Sequence, residues 1–194
     1  MPKDHFRTRG FIEGGIIQNA DDIAIDIGAL PPFLRTLLVA DGTVTKSLEA
    51  FFWEKIIVQT ITQNDHQLDQ DIAAIEAQAE DHVLKRKVVL RGETSDRIYA
   101  YATSYLQLET LDDEIKQNLL AEKIGIGELL REIGLETYRE IIDVGKEQFT
   151  PMTTSSETSQ EVIFRTYVIH IGGKPTIQIT ERFPLSVFHQ AEPN

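Results

Sequence analysis

The stretch 160–183, QEVIFRTYVIHIGGKPTIQITERF, carries the clearest structural signal in the chain. Its two halves, 160–171 and 174–183, are rich in Ile, Val, Thr and aromatic residues, which favour β-strands. Gly172-Gly173 between them is a strong hairpin signal, because both glycines can adopt positive φ. The sequence therefore predicts two long antiparallel strands joined by a tight turn.

A second predicted hairpin lies upstream, where the runs 82–92 and 96–109 meet at turn-like residues. Two further strands are expected at 55–63 and 137–148. Apolar residues at helical spacing predict short helices in four other places: 33–40, 43–52, 112–122 and 127–133. We therefore expect an α+β fold with a single antiparallel sheet of about six strands and helices packed on one side.

The first 30 residues differ in character from those that follow. They mix glycines with short apolar pairs and show no sustained period, so 1–30 is predicted to be an irregular N-terminal arm and 31–190 one domain. A polar stretch around 69–78 is expected to be mostly helical. The Thr- and Ser-rich segment 149–159 is expected to be a long loop of the kind that often covers a site.

The composition of the chain excludes several classes of function. Lys and Arg number 19 against 31 Asp and Glu, and the resulting net charge of −12 disfavours a general nucleic-acid surface. The chain has no Cys, so a disulfide framework, a thiolate nucleophile and an iron–sulfur cluster are excluded. The five His residues show no spacing with carboxylates that is typical of zinc, and no metal is predicted.

The hydropathy of the chain indicates whether it is expected to enter a membrane. The longest uninterrupted apolar run, 98–102, has five residues, whereas a helix that spans a bilayer needs about 20. No apolar signal segment follows Met1. We therefore expect a cytoplasmic protein without membrane insertion. No segment is typical of a dedicated interface, so a monomer is expected.

Two charged residues fall in phase with the apolar residues of their predicted strands. Glu181 shares a face with Ile179 and Phe183, and Arg86 shares a face with Leu84 and Val88. Both side chains are therefore predicted to point inward. Because an unpartnered buried charge costs several kcal/mol, each must meet a partner, a ligand or a polar cavity.

Two interpretations of these inward charges are open. In one, Arg86 and Glu181 form a structural salt bridge, or a bulge turns one of them out to solvent. In the other, both line a ligand cavity on the covered face of the sheet, where Arg86 grips a carboxylate and Glu181 contacts a hydroxyl. The second interpretation implies a small acid whose hydroxyl lies across the ring from its carboxylate.

Four segments, in order, resemble the chorismate pyruvate-lyase family. The stretch LLVADGTVTKSLE resembles the opening helix motif of that family, and GKPTIQITERFP resembles its closing strand. Between them, LKRKVVL is similar to the arginine strand of the family, and GIGELL to its short helix entrance. In this chain the four segments are 37–49, 173–184, 84–90 and 125–130.

The resemblance implies a chorismate lyase-like fold and a lyase that splits chorismate into pyruvate and 4-hydroxybenzoate for quinone head-group synthesis. It implies no metal and no organic cofactor. By position, Arg86 holds the ring carboxylate and Glu181 contacts the ring hydroxyl, as the candidate catalytic pair. Main-chain groups near Val44 and Ile126 are implied to close around the substrate.

Two alternatives to this activity remain at the level of sequence. The same fold resembles ligand-binding domains of bacterial transcription regulators, so a non-catalytic domain that binds or senses a hydroxybenzoate-like molecule is one alternative. The other is a related enzyme that makes a different hydroxybenzoate isomer. In each case the expected partner is a small molecule rather than a nucleic acid.

Overall fold

The computed structural model describes residues 15–120, 125–151 and 159–189. Its main sheet is antiparallel and consists of six strands: β3 (Ile56–Gln67), β4 (His82–Gly92), β5 (Ile98–Leu106), β6 (Thr137–Phe149), β7 (Gln160–Ile171) and β8 (Lys174–Pro184). The strands lie in the order β3-β4-β5-β8-β7-β6. The predicted α+β fold with a six-stranded antiparallel sheet is confirmed.

Both predicted hairpins are present, and together they bring β5 beside β8 at the centre of the sheet. The β7–β8 turn has Gly172 at φ +58° and Gly173 at φ +80°, the left-handed conformation that the Gly-Gly pair predicts. The chain therefore places strands that are distant in sequence side by side.

Four helices lie where the apolar periodicity predicts them, and a short fifth helix, at the C-terminal end, was not predicted. Within the described residues they are α1 (Pro32–Val39), α2 (Val44–Phe52), α3 (Asp113–Leu120), α4 (Ile126–Glu132) and a short C-terminal α5 (Leu185–His189). Two prolines begin α1, and its side chains Leu34, Leu37 and Leu38 are fully buried. A stripe at i, i+3, i+4 spacing thus fixes the face by which α1 packs.

One face of the sheet, here called the inner face, carries the helices in two separate groups. At one end α1 and α2 form a core with Leu90, Ala100 and Phe183. At the other end α3 and α4 form a second core with Leu106 and Ile177. The middle of the inner face, between the two cores, belongs to neither of them.

Two segments differ from the structure that the sequence predicts. The stretch 69–78 is not mostly helical: it contains only a 3-10 turn, Ala73–Ile75, because its apolar residues pack against Val168 on the outer face of the sheet. Residues 16–26, predicted to be irregular, form a small hairpin of β1 (Ile16–Gln18) and β2 (Ala24–Asp26) whose Ile17 and Ile25 join the first core. Most of the predicted loop 149–159 lies outside the described residues, as do residues 1–14.

Glu54 ties the end of α2 to the β4–β5 turn. Its carboxylate accepts hydrogen bonds from the Ser95 hydroxyl at 2.7 Å, from the backbone N–H groups of Thr94 and Ser95, and from the buried Tyr99 hydroxyl. The hydrogen bond from Tyr99, with those from Ser95 and Thr94, lowers the pKa of Glu54 to about 2, although partial burial opposes the shift. The hydrogen bonds that hold the β4–β5 hairpin against the end of α2 therefore also make the stability of the protein depend on the protonation of Glu54 at acid pH.

Glu54→Gln should destabilise the protein by about 1 kcal/mol near neutral pH, a value discounted for the solvent exposure of the site. The folded-state pKa of Glu54 lies below the unfolded value of about 4.3, so its contribution is present above that value and is lost as the pH falls toward 2. Urea unfolding of both proteins from about pH 6 to about pH 3 measures this, and the stability gap should narrow as the pH falls. A gap that is constant with pH would contradict the assignment.

Glu93→Gln is the matched control for this experiment. Glu93 pairs with Lys55 on the surface, at 2.7 Å, with both side chains roughly half exposed or more. Such pairs contribute little, so this variant should lose at most about 0.5 kcal/mol.

Candidate functional site

A cavity lies between the two helical cores, over the middle of the inner face. Its floor is formed by β3, β4, β5 and β8, and its rim by the residues that begin α2 and α4. It has a volume of about 70 Å³. Its lining includes Val44, Arg86, Ala102, Ser104, Ile126, Arg139, Tyr167 and Glu181.

Small side chains on β5 make room in the centre of the floor. Ser104 pairs with Arg86 on β4, and Ala102 pairs with Glu181 on β8, so both small residues lie between the two charged ones. Adjacent strands are about 4.8 Å apart, which places the backbones of β4 and β8 about 10 Å apart. Arg86 and Glu181 therefore face a shared space from opposite sides.

Arg86 is buried, with 2% of its surface exposed, as the strand alternation predicts. Its Nη2 donates a hydrogen bond to the Thr60 hydroxyl on β3 at 3.1 Å. The neighbouring strand adds a weak contact at 3.5 Å from the Ser104 hydroxyl to the Arg86 carbonyl. The guanidinium thus lies in the cavity wall and is hydrogen-bonded to the edge strand.

Glu181 is also buried, and its ion-pair partner is Arg165 rather than Arg86. Arg165 on β7 donates from Nε to Glu181 Oε2 at 2.8 Å, and Tyr167 donates its hydroxyl to Oε1 at 3.1 Å. The structural salt bridge between Arg86 and Glu181, one of the two interpretations of the sequence, is therefore not formed. With one protein donor on each oxygen, the carboxylate still has lone pairs that can accept from a ligand.

Arg165 links this carboxylate to α1. Its Nη1 donates to the carbonyls of Leu37 at 2.5 Å and Ala40 at 2.6 Å, which are among the carbonyls that the end of a helix leaves without partners. Burial alone would lower the pKa of Arg165, but the charge and hydrogen bond of Glu181, with the effects of Tyr167 and Asp41, together outweigh burial and raise the pKa. The guanidinium therefore stays charged.

Tyr167 completes this group as a permanent hydrogen-bond donor. Burial, together with the charge of Glu181, raises the pKa of the Tyr167 hydroxyl. The Arg165 guanidinium also lies over the Tyr167 ring, 5.0 Å from its centroid. The phenol therefore remains protonated and holds Glu181 in one orientation.

Val44 and Ile126 lie at the rim, each as the first residue of a helix. Val44 begins α2 and Ile126 begins α4, and both are buried. Thr43, before α2, does not form a side-chain cap. The four residues singled out from the sequence, Arg86, Glu181, Val44 and Ile126, thus line one cavity.

Sequence reasoning missed three polar residues of this site. Arg165 falls in phase with Ile163 and Tyr167. The same alternation of apolar and polar residues that identified Arg86 and Glu181 as inward-pointing could therefore also have identified Arg165. Arg139 was harder to find because a bulge between Ile141 and Asp143 breaks the alternation of β6. The role of Tyr167 depends on Glu181, which lies 14 residues away.

In the described ranges, no group of three or more His, Asp or Glu side chains is arranged to hold a metal ion. Among those same ranges, no helix is long and apolar enough to cross a membrane.

Arg165→Met should destabilise the protein by about 3–5 kcal/mol, because it leaves Glu181 buried without its charge partner. The double variant Arg165→Met with Glu181→Leu should recover part of this loss, since no buried charge then remains. Urea unfolding of the two variants and the wild type measures the effect. An equal loss in the single and double variants would contradict the charge argument.

Arg182→Met is the control on the adjacent strand. Arg182 pairs with Glu147 at 2.6 Å on the outer face, where both side chains are partly exposed. Because water can solvate the remaining carboxylate, this loss should be about 1 kcal/mol or less.

Comparison with solved structures places this architecture among known folds. The chain is similar to PhnF from Mycobacterium smegmatis with a TM-score of 0.57 and 12% sequence identity, covering 75% of this chain and 65% of that one. At that identity the similarity shows the fold alone.

Sequence comparison goes further. The chain is 26% identical to the chorismate pyruvate-lyase of Mycobacterium tuberculosis, over 81% of this chain and 82% of that protein. It is 28% identical to the chorismate pyruvate-lyase of Mycobacterium leprae, over 84% and 79%. Residues 38–190 match the family described as Chorismate pyruvate-lyase Rv2949c-like. The chain, with its two helical cores and the cavity between them, belongs to this family.

Proposed function

We propose that this protein is a chorismate lyase that eliminates pyruvate from chorismate and releases 4-hydroxybenzoate, which serves quinone head-group synthesis. The observation that carries the proposal is the placement of Arg86 and Glu181 on opposite sides of one cavity floor. The relatives named above support the same substrate, since both are chorismate pyruvate-lyases.

The polar groups of the cavity match the two ends of the substrate ring. Chorismate carries a carboxylate on one ring carbon and a hydroxyl on the carbon opposite. A guanidinium binds a carboxylate with two parallel hydrogen bonds, which is the role proposed for Arg86. Glu181, fixed by Arg165 and Tyr167, accepts a hydrogen bond from the ring hydroxyl.

The reaction itself requires little general acid–base catalysis from the protein. The ether bond between the ring and the enolpyruvyl group breaks, and the hydrogen on the hydroxyl-bearing ring carbon moves to the methylene carbon of that group. The ring becomes aromatic, and pyruvate leaves with all atoms accounted for. The driving force lies in the substrate, so the protein contributes orientation and electrostatics.

Apolar groups at the rim hold the reacting arm in place. Val44 and Ile126, each buried at the start of a helix, close the cavity above the ring, and main-chain groups beside them contact the substrate. The arm must fold back over the ring so that its methylene carbon meets the hydrogen. A tight apolar rim favours that geometry and excludes water.

A second candidate function rests on the same groups. The carboxylate and hydroxyl contacts are both satisfied by 4-hydroxybenzoate itself, so a domain that only binds or senses a hydroxybenzoate fits the pair Arg86 and Glu181. An enzyme that makes another hydroxybenzoate isomer requires the hydroxyl partner at a different angle to Arg86.

Incubation of the purified protein with chorismate, in the presence of a chelator, tests the proposal. Chromatography of the aromatic product and a parallel assay of pyruvate should give 4-hydroxybenzoate and pyruvate in equal amounts. Stabilisation against heat by hydroxybenzoates without any turnover would establish the binding domain instead. Another isomer as the product would identify the related enzyme.

Arg86→Ala should raise KM for chorismate about 100-fold, because it removes a charge-assisted contact to the ring carboxylate. Glu181→Gln should lower kcat about 100-fold with a smaller change in KM, because the amide presents one acceptor where the carboxylate presents two. Steady-state kinetics at several chorismate concentrations separates the two effects.

Lys85→Gln and Thr180→Val are the matched controls, since each lies beside a tested residue in the same strand but on the outer face. Both should keep kinetics within about twofold of the wild type. Normal kinetics in Arg86→Ala and Glu181→Gln would overturn the assignment of these residues.

A further inference from the structure

Arg139 is a second arginine in the cavity wall, and it makes none of the contacts proposed above for the ring. It lies on the inner face of β6, and its Nη1 donates to the Asp41 carbonyl, in the corner between α1 and α2, at 2.7 Å. Its Nη2 lies over Gly127, only 3.3 Å from where a Cβ on that glycine would be. The Thr43 hydroxyl is next to the same glycine, at 3.6 Å from that Cβ position.

The charges of the wall favour an anion with more than one carboxylate. Two arginines, Arg86 and Arg139, line the cavity together with one carboxylate, Glu181. The charge of Glu181 is met by Arg165 behind it. Although the protein as a whole has a net charge of −12, each of these arginines can bind one carboxylate of a dianion.

The order of these residues across the sheet orients that dianion. Arg86 lies on β4, Glu181 on β8 and Arg139 on β6, and the strands follow one another as β4-β5-β8-β7-β6. A ring with its carboxylate at Arg86 and its hydroxyl at Glu181 carries its ether substituent on the carbon next to the hydroxyl. That substituent is therefore remote from Arg86 and can extend toward Arg139.

We infer that Arg139, with the Thr43 hydroxyl beside it, forms the subsite for the carboxylate of the ether side chain. This inference rests on the proposed function and deepens it, because it separates substrate from product. Chorismate has two carboxylates, whereas 4-hydroxybenzoate has only the one that meets Arg86. Gly127 leaves room for the second carboxylate in front of Nη2, where any other residue would place a Cβ.

The subsite also joins the two segments that close the cavity. Arg139 contacts the corner before α2 through Asp41 and lies against the first turn of α4 through Gly127. A carboxylate bound there would bridge both segments and hold the side chain folded over the ring. Arg139 thereby orients the ether side chain, while the ether bond breaks and the hydrogen moves at ring carbons nearer to Glu181.

Arg139→Gln tests the inference through the difference between substrate and product. KM for chorismate should rise about 10- to 100-fold, as expected for a lost hydrogen bond to a charged group, while the inhibition constant of 4-hydroxybenzoate stays within about twofold. Arg86→Ala, in contrast, should weaken both. Arg131→Gln, which removes an exposed ion pair with Glu128 on α4, should change neither.

Two stable probes make the test independent of turnover. The first is 3-(carboxymethoxy)-4-hydroxybenzoate, a dianion, and the second is 3-(2-amino-2-oxoethoxy)-4-hydroxybenzoate, in which an amide replaces the side-chain carboxylate and only the ring carboxylate remains charged. Titration calorimetry should show that the wild type prefers the dianion about 10-fold or more and that Arg139→Gln abolishes the preference. A preference that survives in the variant, or an equal loss of affinity for both probes and for 4-hydroxybenzoate, would overturn the inference.

The same experiment separates the inference from the proposed function. A wild type that prefers the dianion but does not convert chorismate would refute the lyase while keeping the subsite. A wild type that converts chorismate but binds both probes equally would keep the lyase and refute the subsite.

Discussion

The guanidinium of Arg165 ties the end of α1 to the sheet. It is 1% exposed, and it binds the Glu181 carboxylate on one side and the last carbonyls of α1 on the other. A buried charge of this kind is tolerated only when it is paired and hydrogen-bonded, as Nε and Nη1 of Arg165 are. The position of α1, the corner that leads into α2 and the orientation of Glu181 therefore depend on one side chain. Stability and the geometry of the candidate site are thus set by the same atoms.

The cavity exists because the inner face is covered by two cores rather than one. Bulky side chains fill both ends, whereas the centre of β5 carries only Ala102 and Ser104. Charged residues from the neighbouring strands then surround a floor of small residues. A continuous apolar core would bury more apolar surface and would stabilise the folded state more. The cavity and its buried charges therefore reduce the free energy of unfolding, and a bound ligand can offset that loss.

Sequence patterns predicted the sheet, four of the helices and two inward-pointing charges, because each of these features produces a regular spacing of apolar residues over a short stretch of sequence. Arg86 and Glu181 were visible since their strands alternate regularly. The β1–β2 hairpin was not visible, because strands of three residues show no period, and the 3-10 turn at 73–75 was mistaken for part of a helix because its apolar residues pack on the outer face instead. The partner of Glu181 could not be read from alternation alone, since several arginines on the inner face were available.

The chemistry of the second carboxylate separates a catalyst from a binding domain on this fold. Similarity to PhnF at 12% identity concerns the fold alone, and a fold does not by itself decide between these two functions. In the proposed function, Arg86 and Glu181 recognise features that chorismate and 4-hydroxybenzoate share, so these two contacts do not distinguish the substrate from the product. A sensor of the product needs nothing more, and a second cation in its cavity would only add a desolvation cost. An enzyme, in contrast, must hold a group that is present before the reaction and absent after it, and Arg139 lies where that group would extend. The presence of this arginine in the wall therefore favours the lyase over the sensor.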